Sequence, residues 1–131
     1  MSARLLIIDD NVSICNVLRY LLILEGYYVD CANTLEEAQD FLTSNTYDCM
    51  LTDLHFGNFL NCDGLAVVRI ANNQQILPKI ILMSSCLDAT NAQKARSLGV
   101  TVFLEKPFEC KLLFQIIKNQ ICQCATKDFE T

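Results

Sequence analysis

The chain has 131 residues, a net charge of −5, and a composition that is 52% hydrophobic with only four glycines and two prolines. That length suffices for one packed domain and not for two, and the scarcity of glycine and proline argues against disorder. No stripe or run of Lys and Arg is present, which disfavours direct nucleic-acid binding.

The amino terminus lacks the charged start, apolar segment and small-residue cleavage site of a signal peptide. No stretch reaches the roughly 18 uninterrupted apolar residues of a membrane helix, and Val12–Leu24 is broken by Asn16 and Arg19. A soluble, cytoplasmic protein is expected, with no membrane partner. Eight cysteines are many for this length, yet none forms a Cys-x-x-Cys pair and the single histidine, His55, is not spaced as a zinc partner. They read as small hydrophobes in a reducing compartment rather than as a disulfide framework. Cys122 and Cys124 are oxidation-prone if exposed; redox sensitivity at Cys86 is the weaker idea.

In chain order, Arg4–Ile8 is a nearly continuous apolar run, the mark of a strand buried on both faces. Asp9-Asp10-Asn11 stops it and offers capping groups. Val12, Cys15, Val17, Leu18, Leu21, Leu22 and Leu24 then recur at helical spacing, and Gly26 suits the helix terminus. Tyr27–Ala32 has the aromatic and β-branched content of a second strand. Thr34-Leu35-Glu36-Glu37 matches a capping box, opening a helix with Leu35, Ala38, Phe41 and Leu42 on its inner face. Tyr47–Thr52 is a third strand and delivers Asp53. Leu54–Cys62 is a long loop, Asp63 caps a helix carrying Leu65, Val67, Val68 and Ile70, and Asn72–Gln75 is a polar break. Lys79–Met83 is a fourth strand, ending on Ser84-Ser85. Asp88–Leu98 is the most polar helix, closed by Gly99, and Val100–Leu104 is a fifth strand running into Glu105-Lys106-Pro107. Leu112, Leu113, Ile116, Ile117 and Ile121 stripe a final helix. Residues 1–124 are expected to form the domain and 125–131 a frayed tail.

Five strands alternating with five helices predict right-handed crossovers and a doubly wound parallel α/β sheet. Sites in such sheets lie outside the carboxyl ends of the strands. Asp9, Asp10, Asp53, Ser84 and Lys106 all fall at those ends. Three carboxylates in one pocket repel unless a cation intervenes, and hard oxygen ligands suit Mg²⁺. Lys106 adds a compact positive charge and Ser84 a hydroxyl donor, so the set can hold a phosphoryl group. Taken singly, Asp9-Asp10 is a helix cap, Asp53 a turn residue and Lys106 a solvated charge; the joint placement points to chemistry. For the His55 imidazole a solvated role is preferred. Phe56 and Phe59 are expected to cover the loop or a partner surface.

With these residues in view, the sequence resembles the receiver domain of two-component response regulators from about Arg4 to the final helix. The motifs are the acidic pair after the first strand, the aspartate ending the third, the hydroxyl residue ending the fourth and the Lys-Pro pair after the fifth. The resemblance implies the flavodoxin-like strand order 2-1-3-4-5. It also implies that Asp53 accepts a phosphoryl group from a histidine kinase or histidine phosphotransfer protein. Asp9, Asp10 and Asp53, with the backbone carbonyl of His55, match the ligands of Mg²⁺ (or Mn²⁺). Ser84 and Lys106 match the groups that bind the phosphoryl oxygens, Phe103 the aromatic switch position, and Pro107 a cis peptide bond. A downstream protein is expected to read the region Asp88–Lys118. Beyond its own phosphorylation and slow dephosphorylation, no enzymatic activity is implied. Two departures from the family pattern stand out. The segment after Asp53 has no proline and is lengthened before Asp63-Gly64, and Ser85 follows Ser84 where alanine or glycine is usual.

A constitutive interaction scaffold with lost switching is the main alternative, motivated by that loop. A haloacid-dehalogenase-type phosphatase would want an aspartate where Asn11 stands, and in a flavodoxin Asp9-Asp10 would repel the phosphate. The sequence after the last helix offers no effector domain, so output is expected to pass to another protein or along a relay, or the chain is a piece of a larger regulator or hybrid kinase.

Overall fold

The computed structural model describes residues 2–56, 63–75 and 77–130, the last eight of them by backbone alone. Ten elements alternate: β1 (Arg4–Ile8), α1 (Val12–Leu24), β2 (Tyr28–Ala32), α2 (Leu35–Ser44), β3 (Cys49–Asp53), α3 (Asp63–Asn72), β4 (Lys79–Ser84), α4 (Ala89–Ser97), β5 (Val102–Glu105) and α5 (Cys110–Glu130). The strands form one parallel sheet in the order β2-β1-β3-β4-β5. This is the doubly wound sheet expected from the alternation, with β1 and β3 central.

Alternate strand residues sort into two cores, as the two-residue period of a strand requires. Leu6, Ile8, Met50 and Leu82 face α2, α3 and α4 through Ala38, Leu42, Leu65, Val68 and Ala95. Leu5, Ile7, Leu51, Ile81 and Met83 face α1 and α5 through Cys15, Leu18, Leu22, Leu113 and Ile117. Both faces being covered explains why the strands read as unbroken apolar runs.

Local signals act where they were read, with shifts at the ends. Thr34 accepts from the Glu37 amide at 3.1 Å, while the Glu37 carboxylate returns to the amide of Asn33 at 2.9 Å. Gly26 and Gly99 close α1 and α4 with φ of +99° and +94°, a conformation that other residues adopt at a cost. The turns they make claim the residues that follow. Tyr27 donates its amide to Leu22 and Val100 donates to Ala95, so β2 and β5 start later than the apolar pattern indicates.

Two expectations are corrected by the packing. α1 buries only Cys15, Leu18 and Leu22, leaving Val12, Val17 and Leu24 exposed, because one helix face meets the sheet and its apolar residues run all the way round. Phe56, expected over a loop or a partner surface, is 1% exposed and packs in the core beside α2 and α3. The helical backbone of α5 runs on to Glu130, with no proline or glycine to interrupt it. Leu112 of the α5 stripe is exposed, and Ile116 and Ile121 are half-buried. Phe59, and most of the Leu54–Cys62 loop, lie outside the described residues.

At the opposite end of the sheet from the acidic residues, the buried Tyr47 donates its hydroxyl to Asp30 at 2.7 Å, and the Arg4 guanidinium lies over its ring. Tyr47→Phe is expected to cost about 1 kcal/mol, read as a lower urea midpoint at unchanged slope. An unchanged midpoint would mean that this hydrogen bond adds nothing to stability.

Candidate functional site: an acidic pocket at the carboxyl end of the sheet

Register brings the site together. Ile8 pairs with Thr52, so Asp9 leaves β1 beside Asp53 at the end of β3. Asp53 in turn pairs with Met83, and Ser84 with Glu105, which sets Ser84 and Lys106 on the other side. Backbone bonds lock the strand exits: Leu54 donates to Met83 at 2.8 Å and Lys106 to Ser84 at 2.9 Å.

Oxygens of Asp9, Asp10 and Asp53 lie within 4.8 Å of one another, with Asp9 and Asp53 buried and Asp10 exposed. The Lys106 ammonium reaches between the two buried carboxylates, 2.7 Å from Asp9 Oδ2 and 3.2 Å from Asp53 Oδ2. The other oxygens accept from the backbone, Asp9 Oδ1 from Asn11 at 3.0 Å and Asp53 Oδ1 from His55 at 3.3 Å. Burial pushes the Asp53 carboxyl above its ordinary range. Lys106 pulls it down and Asp9 pushes it up again, leaving it raised overall. Burial alone would lower the Lys106 ammonium, but its hydrogen bond to Asp9, with the charges of Asp9 and Asp53, holds it above the usual range. Three carboxylates against one ammonium leave an excess of two negative charges, and these hard oxygen donors fit a divalent cation such as Mg²⁺.

Ser84 is buried and its hydroxyl accepts from the Cys86 amide at 3.0 Å, held toward its own loop. Phe103 is half-buried under the Arg96 guanidinium, 5.4 Å from the ring centroid. Ser84 and Phe103 share a cavity of about 300 Å³ with Leu82, Leu87, Leu104 and Glu105. The Lys106–Pro107 bond is cis.

Some contributors had no functional signal in the sequence. Gly64 packs against the Asp53–Leu54 backbone, and its amide donates to Leu54 at 3.0 Å. Asn33 and Cys15 donate to the Asp9 carbonyl at 2.8 and 3.3 Å and fix its turn. Asp63-Gly64 was visible as a helix start, but a glycine placed for close approach looks the same in sequence as one placed for a turn.

The family model for the response regulator receiver domain matches residues 5–118. The chain belongs to that family. Among curated relatives of this receiver domain, the regulatory protein VirG of Rhizobium rhizogenes is 30% identical over 105 residues, 80% of this chain and 42% of the relative. The transcriptional regulatory protein FixJ of Bradyrhizobium diazoefficiens is 29% identical over 117 residues, 89% of this chain and 56% of the relative. The chain thus spans about half the length of these relatives. A CheY-like response regulator receiver domain protein from Methanospirillum hungatei has the same fold, with a TM-score of 0.89 at 21% identity, covering 97% of this chain and 99% of the other.

Receiver domains are modules of two-component signalling that bind Mg²⁺ at an acidic pocket and interact with histidine kinases or phosphotransfer proteins and with downstream effectors. Among the described residues of this one, no helix is long and apolar enough to cross a membrane.

Proposed function

We propose that Asp53 accepts a phosphoryl group from a phosphohistidine of a histidine kinase or histidine phosphotransfer protein, in a Mg²⁺-dependent step that alters partner binding. The observation that carries this reading is Asp53 itself, at the end of β3 between Asp9 and the Lys106 ammonium, 3.2 Å away. A carboxylate oxygen of Asp53 attacks phosphorus as the P–N bond breaks, the bond electrons go to the ring nitrogen, and the histidine, already protonated on its other ring nitrogen, leaves as a neutral imidazole. Asp9, Asp10 and Asp53, with the His55 carbonyl, would hold the Mg²⁺, which neutralises their excess charge and the phosphoryl oxygens. Lys106 turns from the carboxylates to the new dianion. The Ser84 hydroxyl gives up the Cys86 amide to donate to a phosphoryl oxygen, and Phe103 moves into the space vacated beside it. The phosphoryl group brings about −1.5 to −2 charges, so the modification biases two packings of the surface Asp88–Lys118.

With a small phosphodonor such as acetyl phosphate and Mg²⁺, the chain is expected to gain one acid-stable, base-labile phosphoryl mass. Chelation of the metal should slow its appearance by about tenfold or more, and Asp53→Asn should abolish it. Metal-free Asp53→Asn should also melt above wild type at neutral pH, since the amide removes a buried charge that is held above its ordinary range. An adduct that persists in Asp53→Asn would sink the assignment.

A further inference from the structure

Cys15 of α1 and Cys31 of β2 form a thiol pair that phosphoryl transfer does not use. Cys15 is buried and Cys31 half-buried on the edge strand. Cys31 Sγ donates to the Cys15 carbonyl at 3.5 Å, and Cys15 Sγ donates to the Asp9 carbonyl at 3.3 Å. The chain from Cys31 through Cys15 therefore ends on the backbone of the acidic pocket.

We propose that Cys15 and Cys31 are a reversible oxidation site, converted by hydrogen peroxide into an intrachain disulfide that ties α1 to β2. Cys31 reacts first because it is the more accessible of the two. The interaction with Cys15 favours the Cys31 thiolate, burial opposes it and the Arg19 guanidinium favours it again. That same interaction and burial hold the Cys15 thiol above its ordinary range, so Cys31 is the first nucleophile. Cys31 sulfur attacks one peroxide oxygen and the O–O bond breaks, giving a sulfenic acid and, with the thiol proton, one water. Cys15 sulfur then attacks the sulfenic sulfur, the S–O bond breaks, and the hydroxide leaves as a second water with the Cys15 proton. Two thiols are oxidised and one peroxide is reduced. The disulfide takes the thiol donor from the Asp9 carbonyl and leaves Asn33, at 2.8 Å, holding it.

The test treats the full chain with an equivalent of hydrogen peroxide, blocks remaining thiols in denaturant, and digests without reduction using trypsin and a Glu-specific protease. Cys15 then falls in the peptide Leu5–Arg19 and Cys31 in Gly26–Glu36, each without another cysteine. The expected product joins these two peptides, disappears with dithiothreitol, and is absent from Cys31→Ser. Recovery of both peptides blocked, Cys31 carrying a sulfinic acid, or either cysteine linked elsewhere overturns the proposal. The readout is sulfur chemistry alone, so it stands or fails independently of phosphoryl transfer at Asp53.

Discussion

Gly64→Ala is expected to cost about 3 kcal/mol or more and to lower the melting temperature by roughly 10 °C. A methyl group on Gly64 would sit 2.3 Å from the Asp53 carbonyl oxygen, 2.7 Å from Leu54 Cα and 2.9 Å from the Leu54 carbonyl oxygen. All three are backbone atoms, so no side chain can swing aside. Relief must come from moving α3 or from moving the peptide that carries the proposed phosphoacceptor. Leu54 is held by its amide bond to Met83 at 2.8 Å and by its fully buried side chain, so the strand end resists. The substitution should therefore lower phosphoryl acceptance as well as stability, although Gly64 bears no reactive group. Thermal melts by circular dichroism and the rate of phosphoryl uptake check both halves. A wild-type melt in the alanine variant would contradict the close approach.

Lys106→Met is expected to lose about 2–4 kcal/mol at neutral pH without metal, and the loss should vanish in acid. Methionine keeps much of the apolar stem and removes the ammonium that lies 2.7 Å from Asp9 and 3.2 Å from Asp53. Two buried carboxylates then face each other with no cation between them. The Asp53 carboxyl, already raised by burial and by Asp9, rises further. An acid raised in the folded state gives stability that is complete below its unfolded value, near pH 4, and that drains away as pH climbs through the folded value. The variant should thus match wild type below about pH 4 and fall behind it toward neutrality. Millimolar Mg²⁺ should narrow the gap by binding the folded state. Denaturant titrations at several pH values, with and without Mg²⁺, read this directly. A pH-independent gap would mean that the lysine acts through packing rather than charge.

The site was legible because its parts sit at strand ends. Asp9, Asp53, Ser84 and Lys106 each terminate an apolar run, and a parallel sheet gathers such ends whatever the distance along the chain. Helix starts were legible because caps such as Thr34 and Asp88 act within four residues, whereas the strand order came from the family resemblance and from no local signal. Features that depend on packing were hidden. Nothing in the α1 sequence distinguishes Leu18, which meets the sheet, from Val17, which does not. Phe56 looked like a loop aromatic because the loop gives no periodicity, and only the fold shows the core space it fills. Gly64 and the Cys15–Cys31 pair are long-range contacts with no local signature. The turns that delay β2 and β5 are backbone bonds to the preceding helix, which apolar patterning cannot register.

The most direct test of the central claim is to trap the phosphorylated residue chemically. After incubation with acetyl phosphate and Mg²⁺, borohydride reduces an aspartyl phosphate to homoserine, and peptide sequencing by mass spectrometry locates it. Homoserine at position 53, dependent on both phosphodonor and Mg²⁺, is the predicted result. Homoserine at Asp9 or Asp10, or at no position under conditions that phosphorylate a control receiver domain, would contradict it.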